Sequence, residues 1–315
     1  LKTQAASAKS RKMHSHSLAY DAKKNWQLYL MLLLPVAYII IFAYIPMGGA
    51  TIAFKDYRIK KGVWGSPWVG LQHFENFFTT PNFWMLLKNT LVLSLYSLIV
   101  GFPIPIILAL SMDEMRHPRL KKIVQTITYA PNFIAVVVMC GMILNFTSQT
   151  GGLINNLIVK LGGEAIPFMY KENLFPHIYV WTGVWQGMGW SSVIYFAALS
   201  GLNPQLLEAA TLDGASRVQK IWHVKLPTLL PTVIIQLILS CGSILNVGYE
   251  KVFLLQNDLN INTSEIISTY VYKRGMVDAQ YSFSTAVGLS QSIVSFVLVA
   301  IVNIVARRVS ETSLW

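Results

Sequence analysis

Charge is what this sequence has least of. Of its 315 residues, 12% are Asp, Glu, Lys or Arg and 54% are hydrophobic, whereas an ordinary globular domain carries about 25% charged residues. Six stretches hold no charge at all: 25–54, 89–112, 123–159, 173–207, 226–249 and 279–306. Each is long enough to cross hydrocarbon as a helix, which takes about 20 residues. Apolar runs of about 10 to 14 residues suit the core of a soluble protein, so six longer ones exclude that class. The expected fold is all-α and integral to a membrane, with six transmembrane helices and both termini cytoplasmic.

Other absences narrow the chemistry. No GxxxxGK[ST] is present, so the chain lacks the loop that cradles ATP phosphates. There is no HExxH, no GxSxG and no cluster of carboxylates within the spans, and the six histidines (14, 16, 73, 117, 177 and 223) are scattered. No catalytic residue, metal site or bound cofactor is therefore expected, and the chain does not read as an enzyme. Two cysteines, Cys140 and Cys241, fall inside predicted spans without a CxxC or Cys/His partner. They read as small buried hydrophobes and leave the redox compartment open.

The formal charge of +11 invites a nucleic-acid partner until it is sorted by side. With the N-terminus inside, the segments 1–24, 113–122, 202–225 and 307–315 hold 15 of the 25 Lys and Arg, and the inner face is +9 against +2 outside. Basic residues in short cytoplasmic loops orient helices during insertion, which explains most of the excess. Nucleic acid is not called for; a lipid bilayer is.

Residues 1–24 are polar and basic without helical periodicity and read as a flexible cytoplasmic tail, with a transmembrane domain over 25–315. The start resembles a signal peptide, but the apolar run from Gln27 to Met47 is longer than the usual core of one, so it reads as an uncleaved first helix. The other spans are expected near Asn89–Met112, Ile123–Asn145, Pro176–Leu202, Leu226–Val247 and Ser282–Val305. Pro103, Pro105 and Pro131 would bend the second and third. Leu153 to Leu161 would lie along the outer surface. The outer segment Lys55–Phe78, rich in Trp, Phe and Gly, reads either as an interfacial aromatic belt or as a cover over a cavity.

One inner loop, 203–227, stands out between two of the most apolar stretches. Asn203 and Pro204 are a helix start, Gly214 allows a left-handed stop, and a second helical piece over Ser216–Val224 leads to Leu226-Pro227. The small surface of Leu206, Leu207, Ala209 and Ala210 suits close approach by a partner, or an amphipathic connector on the headgroups.

The spacing Glu208-Ala209-Ala210, Asp213-Gly214-Ala215, Leu226-Pro227 resembles the EAA loop of membrane subunits of type I ATP-binding-cassette importers. Further stretches, among them "SPWVGLQHFENFF", "QTITYAPNFIAVVV" and "QYSFSTAVGLSQSIV", look like the branch handling oligosaccharides and polysaccharide fragments, to which the membrane subunits of the alginate importer belong. The resemblance implies the type I importer permease fold in a bacterial cytoplasmic membrane. It implies coupling to two ATPase subunits, which would hold ATP and Mg, through Glu208, Ala209, Ala210, Asp213, Gly214, Ala215, Leu226 and Pro227. It further implies a second, usually different permease chain, a soluble substrate-binding protein and an oligosaccharide substrate. One departure is visible: Ile221-Trp222 stands where family members often carry Phe.

In the fourth span Thr182, Gln186 and Trp190 share a face, and in the fifth Ser240, Ser243 and Asn246 do. Such groups read as helix–helix hydrogen bonding or as a sugar path. The resemblance assigns substrate contact to the positions of Gln186, Gly187, Trp190, Ser240 and Ser243. Gly183 and Gly187 form a GxxxG pair, read first as helix packing. Lys55, Arg58, Lys60 and Lys61 read as solvated charge, or as attraction for an acidic saccharide. Two rivals stand beside the importer: an ion-coupled secondary transporter, which would call for a mid-span acidic residue or His, and a non-transporting scaffold.

Overall fold

The computed structural model describes residues 24–309, so the expected tail over 1–24 lies, but for Lys24, outside the described residues. Among these residues the regular structure is helical, and the single extended pairing is an antiparallel bridge between Lys55 and Trp68. Lipid offers the backbone no hydrogen-bond partner, so helices that satisfy their own amides are the form apolar runs must take. Contacts divide the chain into two compact units, one ending at Thr51 and one beginning at Ile52. In the first, α1 (Trp26–Ile39) continues through a π turn at Ile40–Tyr44 into Ile45–Met47.

In the second unit, α2 (Phe83–Gly101) and α3 (Pro103–Asp113) form one span of 31 residues. Pro103 and Pro105 fall in the first turn of α3, where a missing N–H costs little, and Phe102 between them and α2 keeps helical angles. The third expected span is instead broken. α4 (Pro118–Tyr129) and α5 (Val136–Thr147) meet at 100°, with Pro131 in the 3-10 turn Ala130–Phe133 and extended backbone at Ile134.

α6 (Phe175–Ser200) has 26 residues, about 39 Å at 1.5 Å per residue. α7 (Pro204–Leu212) follows, then Arg217–Lys220, a π turn at Ile221–Lys225 and α8 (Leu226–Gly242). Arg217 to Gly242 is one continuous helix, so the chain passes Leu226-Pro227 without a break and bends at Gly214. α9 (Tyr249–Leu255), α10 (Ile267–Tyr272) and α11 (Tyr281–Val309) complete the unit.

Among the described residues four helices are long and apolar enough to cross a membrane, or five if the bent pair is one crossing. The remaining expected crossing is α6. It is long enough and uncharged, but Trp, Gly, Ser and Gln dilute its apolar character.

Within lipid, helices associate by close packing rather than by escape from water. The glycine that α6 uses for this is Gly189: a Cβ there would lie 2.0 Å from the Thr128 carbonyl oxygen of α4. Gly187, by contrast, has open space around it, so the packing role expected of the Gly183/Gly187 pair belongs to Gly189. α5, α6 and α9 share a core containing Cys140, Phe175, Val252 and Leu255, while α3, α6 and α8 meet at Ala109, Tyr195, Leu199 and Leu229. Cys140 is buried and Cys241 partly so, and both are free thiols.

Candidate functional site

The inner loop is built by its own backbone chemistry. The Asn203 side chain accepts from the Gln205 N–H at 3.0 Å and Pro204 occupies the first turn, so α7 starts where exposed donors are met. It ends in a Schellman closure: the Ala215 N–H donates to Ala210 O and the Gly214 N–H to Thr211 O. That closure needs a left-handed residue, and Gly214 has φ +77. Ser216 and Gln219 then form a capping box that restarts the helix, and Lys220 ties the two pieces by donating to Thr211 Oγ1 at 2.8 Å.

No residue of α7 is buried, and Glu208, Ala209 and Asp213 are all exposed. Leu212 is 89% exposed and is joined by exposed Val218 and Trp222. Pro227 interrupts nothing, because the preceding π turn shifts the Leu226 N–H onto Ile221 O and the Thr228 hydroxyl donates to Val224 O at 2.8 Å.

A buried cation links this loop to another span. The Lys225 ammonium donates to Asp113 Oδ2 at 2.6 Å and to Glu114 Oε1, at the end of α3. The loop is therefore clamped to the second span at the point where it becomes α8. Sequence reading missed this: Asp113-Glu114 and Lys225 each sit at the edge of an uncharged run, and edge charges are expected to meet water.

A cavity of about 660 Å³ opens between α2, α6, α8 and α9. Gln186, Gly187, Trp190, Ser240, Ser243 and Asn246 all line it, whereas Thr182 does not and instead donates to Ile178 O of its own helix. Several of these groups are already engaged. Gln186 Nε2 donates at 2.9 Å to Ile134 O, a carbonyl freed by the broken span. The Ser243 hydroxyl donates to Ser240 O at 3.1 Å. The indole of Trp190 meets Phe133 edge-on with centroids 5.9 Å apart. Gln186 thus ties two segments together, and the groups as a set present polar atoms and a flat apolar ring to one space.

The aromatic outer segment contributes nothing to that wall. Phe54 stacks on Trp68, the Tyr57 N–H donates to Ser282 Oγ, and Phe77 packs in a core with Leu86, Tyr270 and Val287. It is a folded outer flap with Trp64 and Trp68 exposed, and none of its residues lines the cavity.

Comparison with known proteins decides what this pairing of loop and cavity belongs to. Residues 101–311 match the family "Binding-protein-dependent transport system inner membrane component". The chain belongs to that family.

This permease is 44% identical, over 91% of its length and 90% of the relative's, to the polygalacturonan/rhamnogalacturonan transport system permease protein YteP of Bacillus subtilis. It is 40% identical to the protein LplB of the same organism over 93% of its length and 92% of that protein's. Among solved structures it resembles a bacterial ABC transporter involved in the import of the acidic polysaccharide alginate. There the TM-score is 0.87 at 38% identity, covering 93% of this chain and 99% of that one. A bacterial alginate ABC transporter in complex with an alginate pentasaccharide-bound periplasmic protein gives a TM-score of 0.88 at 37% identity, covering 95% and 100%. The permease is thus a multi-pass inner membrane subunit with the type I importer fold. ATP hydrolysis in such transporters lies in partner subunits, and a binding protein serves the outer face.

Proposed function

We propose that this chain forms one half of the membrane path of an ATP-driven importer of acidic oligosaccharides. It pairs with a second, different permease chain and two ATPase subunits, and those subunits hold the ATP and Mg while this chain binds no cofactor. The observation that carries the reading is the 660 Å³ cavity bearing Gln186, Trp190, Ser240, Ser243 and Asn246 within an otherwise apolar bundle. Its size falls in the range of about 300–1,000 Å³ usual for small-molecule sites. Hydroxyl and amide groups suit sugar hydroxyls, and an indole face suits the apolar face of a pyranose. Relatives named for polygalacturonan, rhamnogalacturonan and alginate support the acidic class.

Transport proceeds by alternating access. A nucleotide shifts such an equilibrium only by favouring one state, so the loop must pass on a rigid displacement. Ala209, Ala210 and Ala215 let an ATPase approach the backbone closely, Glu208 and Asp213 orient the docked helix, and Gly214 sets its angle. Leu226-Pro227 passes the motion into α8.

Reconstitution with the partner permease, the ATPase and the binding protein tests the reading. ATP hydrolysis is expected to rise with oligogalacturonate or alginate oligomers far more than with neutral oligosaccharides of equal length. Equal stimulation by the neutral series, or none by any saccharide, contradicts it.

A further inference from the structure

A charged residue has entered the cavity wall from outside the spans. Lys251, on α9, is 8% exposed and lines the cavity, and among the described residues it is the one Lys or Arg that does. Its ammonium donates to Tyr179 O at 2.8 Å and stands 4.7 Å from the centre of the Tyr179 ring. No carboxylate of the described residues lies within ion-pair distance of it, in contrast to Lys225, which has two. An ammonium has three donors, and one is met by Tyr179 O.

An ion taken from water without a counter-ion is costly unless something pairs with it, and ionisable groups inside membrane proteins are for that reason candidates for functional sites. Burial pushes the Lys251 ammonium down to about 8, and a carboxylate brought beside it would hold it charged.

The surroundings hold the group in place. Val252 and Leu255 of the same helix are in the core with Phe175, and Cys140 lies against the Lys251 carbonyl. Gly183 leaves the ammonium room, since a Cβ there would come within 3.3 Å of Nζ. The basic residues of the outer flap offer no alternative: Lys55 donates to Val63 O, Arg58 pairs with Asp56, and none of the flap lines the cavity.

We propose that Lys251 is the carboxylate-recognising residue of this half of the membrane path, holding one uronate of an acidic oligosaccharide at the cavity wall beside Gln186 and Ser240. This rests on the importer reading above and adds a specificity residue to it. A staple between α9 and α6, or a pair with a carboxylate of the second permease chain, would give the same burial but no preference for charged substrate.

The test uses the complete reconstituted importer with wild-type chain, Lys251→Met and Lys251→Arg. Uptake of an oligogalacturonate is compared with that of its methyl ester, and each variant is referred to wild type, which cancels the binding protein's own preference. The acid-to-ester ratio is expected to fall about tenfold in Lys251→Met, as loss of a charge-assisted hydrogen bond implies, and to be largely retained in Lys251→Arg. A parallel fall for acid and ester, or an unchanged ratio, overturns the proposal. If Lys251→Met fails to assemble, Lys251→Gln keeps a polar donor without the charge, and an unchanged ratio there overturns the proposal as well. A wild-type complex that imports neutral but not acidic saccharide overturns the acidic-substrate reading together with the role of Lys251, whereas an acid-importing complex whose ratio is unchanged in Lys251→Met overturns the role of Lys251 alone. One that imports no saccharide removes the importer reading with it.

Discussion

Lys225 and Lys251 are both buried, yet their surroundings are opposite. Lys225 neutralises Asp113 and Glu114, whereas Lys251 faces open volume. Removing the first leaves two partly buried carboxylates beside each other. Lys225→Met is therefore expected to destabilise by about 2 kcal/mol, less than the 3–5 kcal/mol typical of a fully buried pair because the acids are about a quarter exposed. It should also weaken the link between α3 and the inner loop. A lowered thermal midpoint together with reduced substrate-stimulated ATP hydrolysis would show both effects, and wild-type values for both would contradict the clamp. Neither lysine was legible as functional in the sequence. Lys251 lies two residues beyond the uncharged run 226–249, and a hydropathy pattern places such a residue in water. What brings it inside is the short helix α9, which packs on α5 and α6 and has no periodic signal of its own.

At the scale of elements, long uncharged runs made α1, the α2–α3 pair, α8 and α11 visible, since hydrocarbon leaves them no alternative to helix. The bend between α4 and α5 was partly visible through Pro131. Its 100° angle was not, because the freed Ile134 carbonyl is repaired by Gln186, 52 residues away. The tight crossing of α4 and α6 was misplaced for a similar reason: spacing alone singles out Gly183 and Gly187, and three-dimensional contact singles out Gly189. Gly189→Ala must push the backbone of α4 aside and is expected to cost more than about 2 kcal/mol, as overpacking of a filled interface does. Gly187→Ala meets open space and is expected to leave the thermal midpoint unchanged. Comparison of the two midpoints checks the assignment, and equal losses would contradict it.

For the whole molecule, the inner loop and the cavity are the two ends of α8. The loop offers an exposed helix with little side-chain bulk, its bend fixed at Gly214, and the second helical piece runs without a break into the span that carries Ser240. In the proposed mechanism a push on α7 would reach the cavity wall through this helix, and Lys225 would carry the displacement to α3. Of the eight loop positions that the resemblance singles out, Gly214 was also legible from backbone chemistry as a left-handed stop, while the exposed Glu208 and Asp213 were marked by the resemblance alone and the π turn before Pro227 had no signal in the sequence. Uptake of saccharide into proteoliposomes by the complete complex, compared between wild type and Gly214→Pro, tests this coupling most directly. Proline cannot adopt φ +77, so the loop should lose its angle. ATP-driven uptake is then expected to fall at least about tenfold, the factor a loss of 1.4 kcal/mol produces, while the ATPase still hydrolyses ATP at its unstimulated rate. Uptake at the wild-type rate in Gly214→Pro would contradict coupling through this loop.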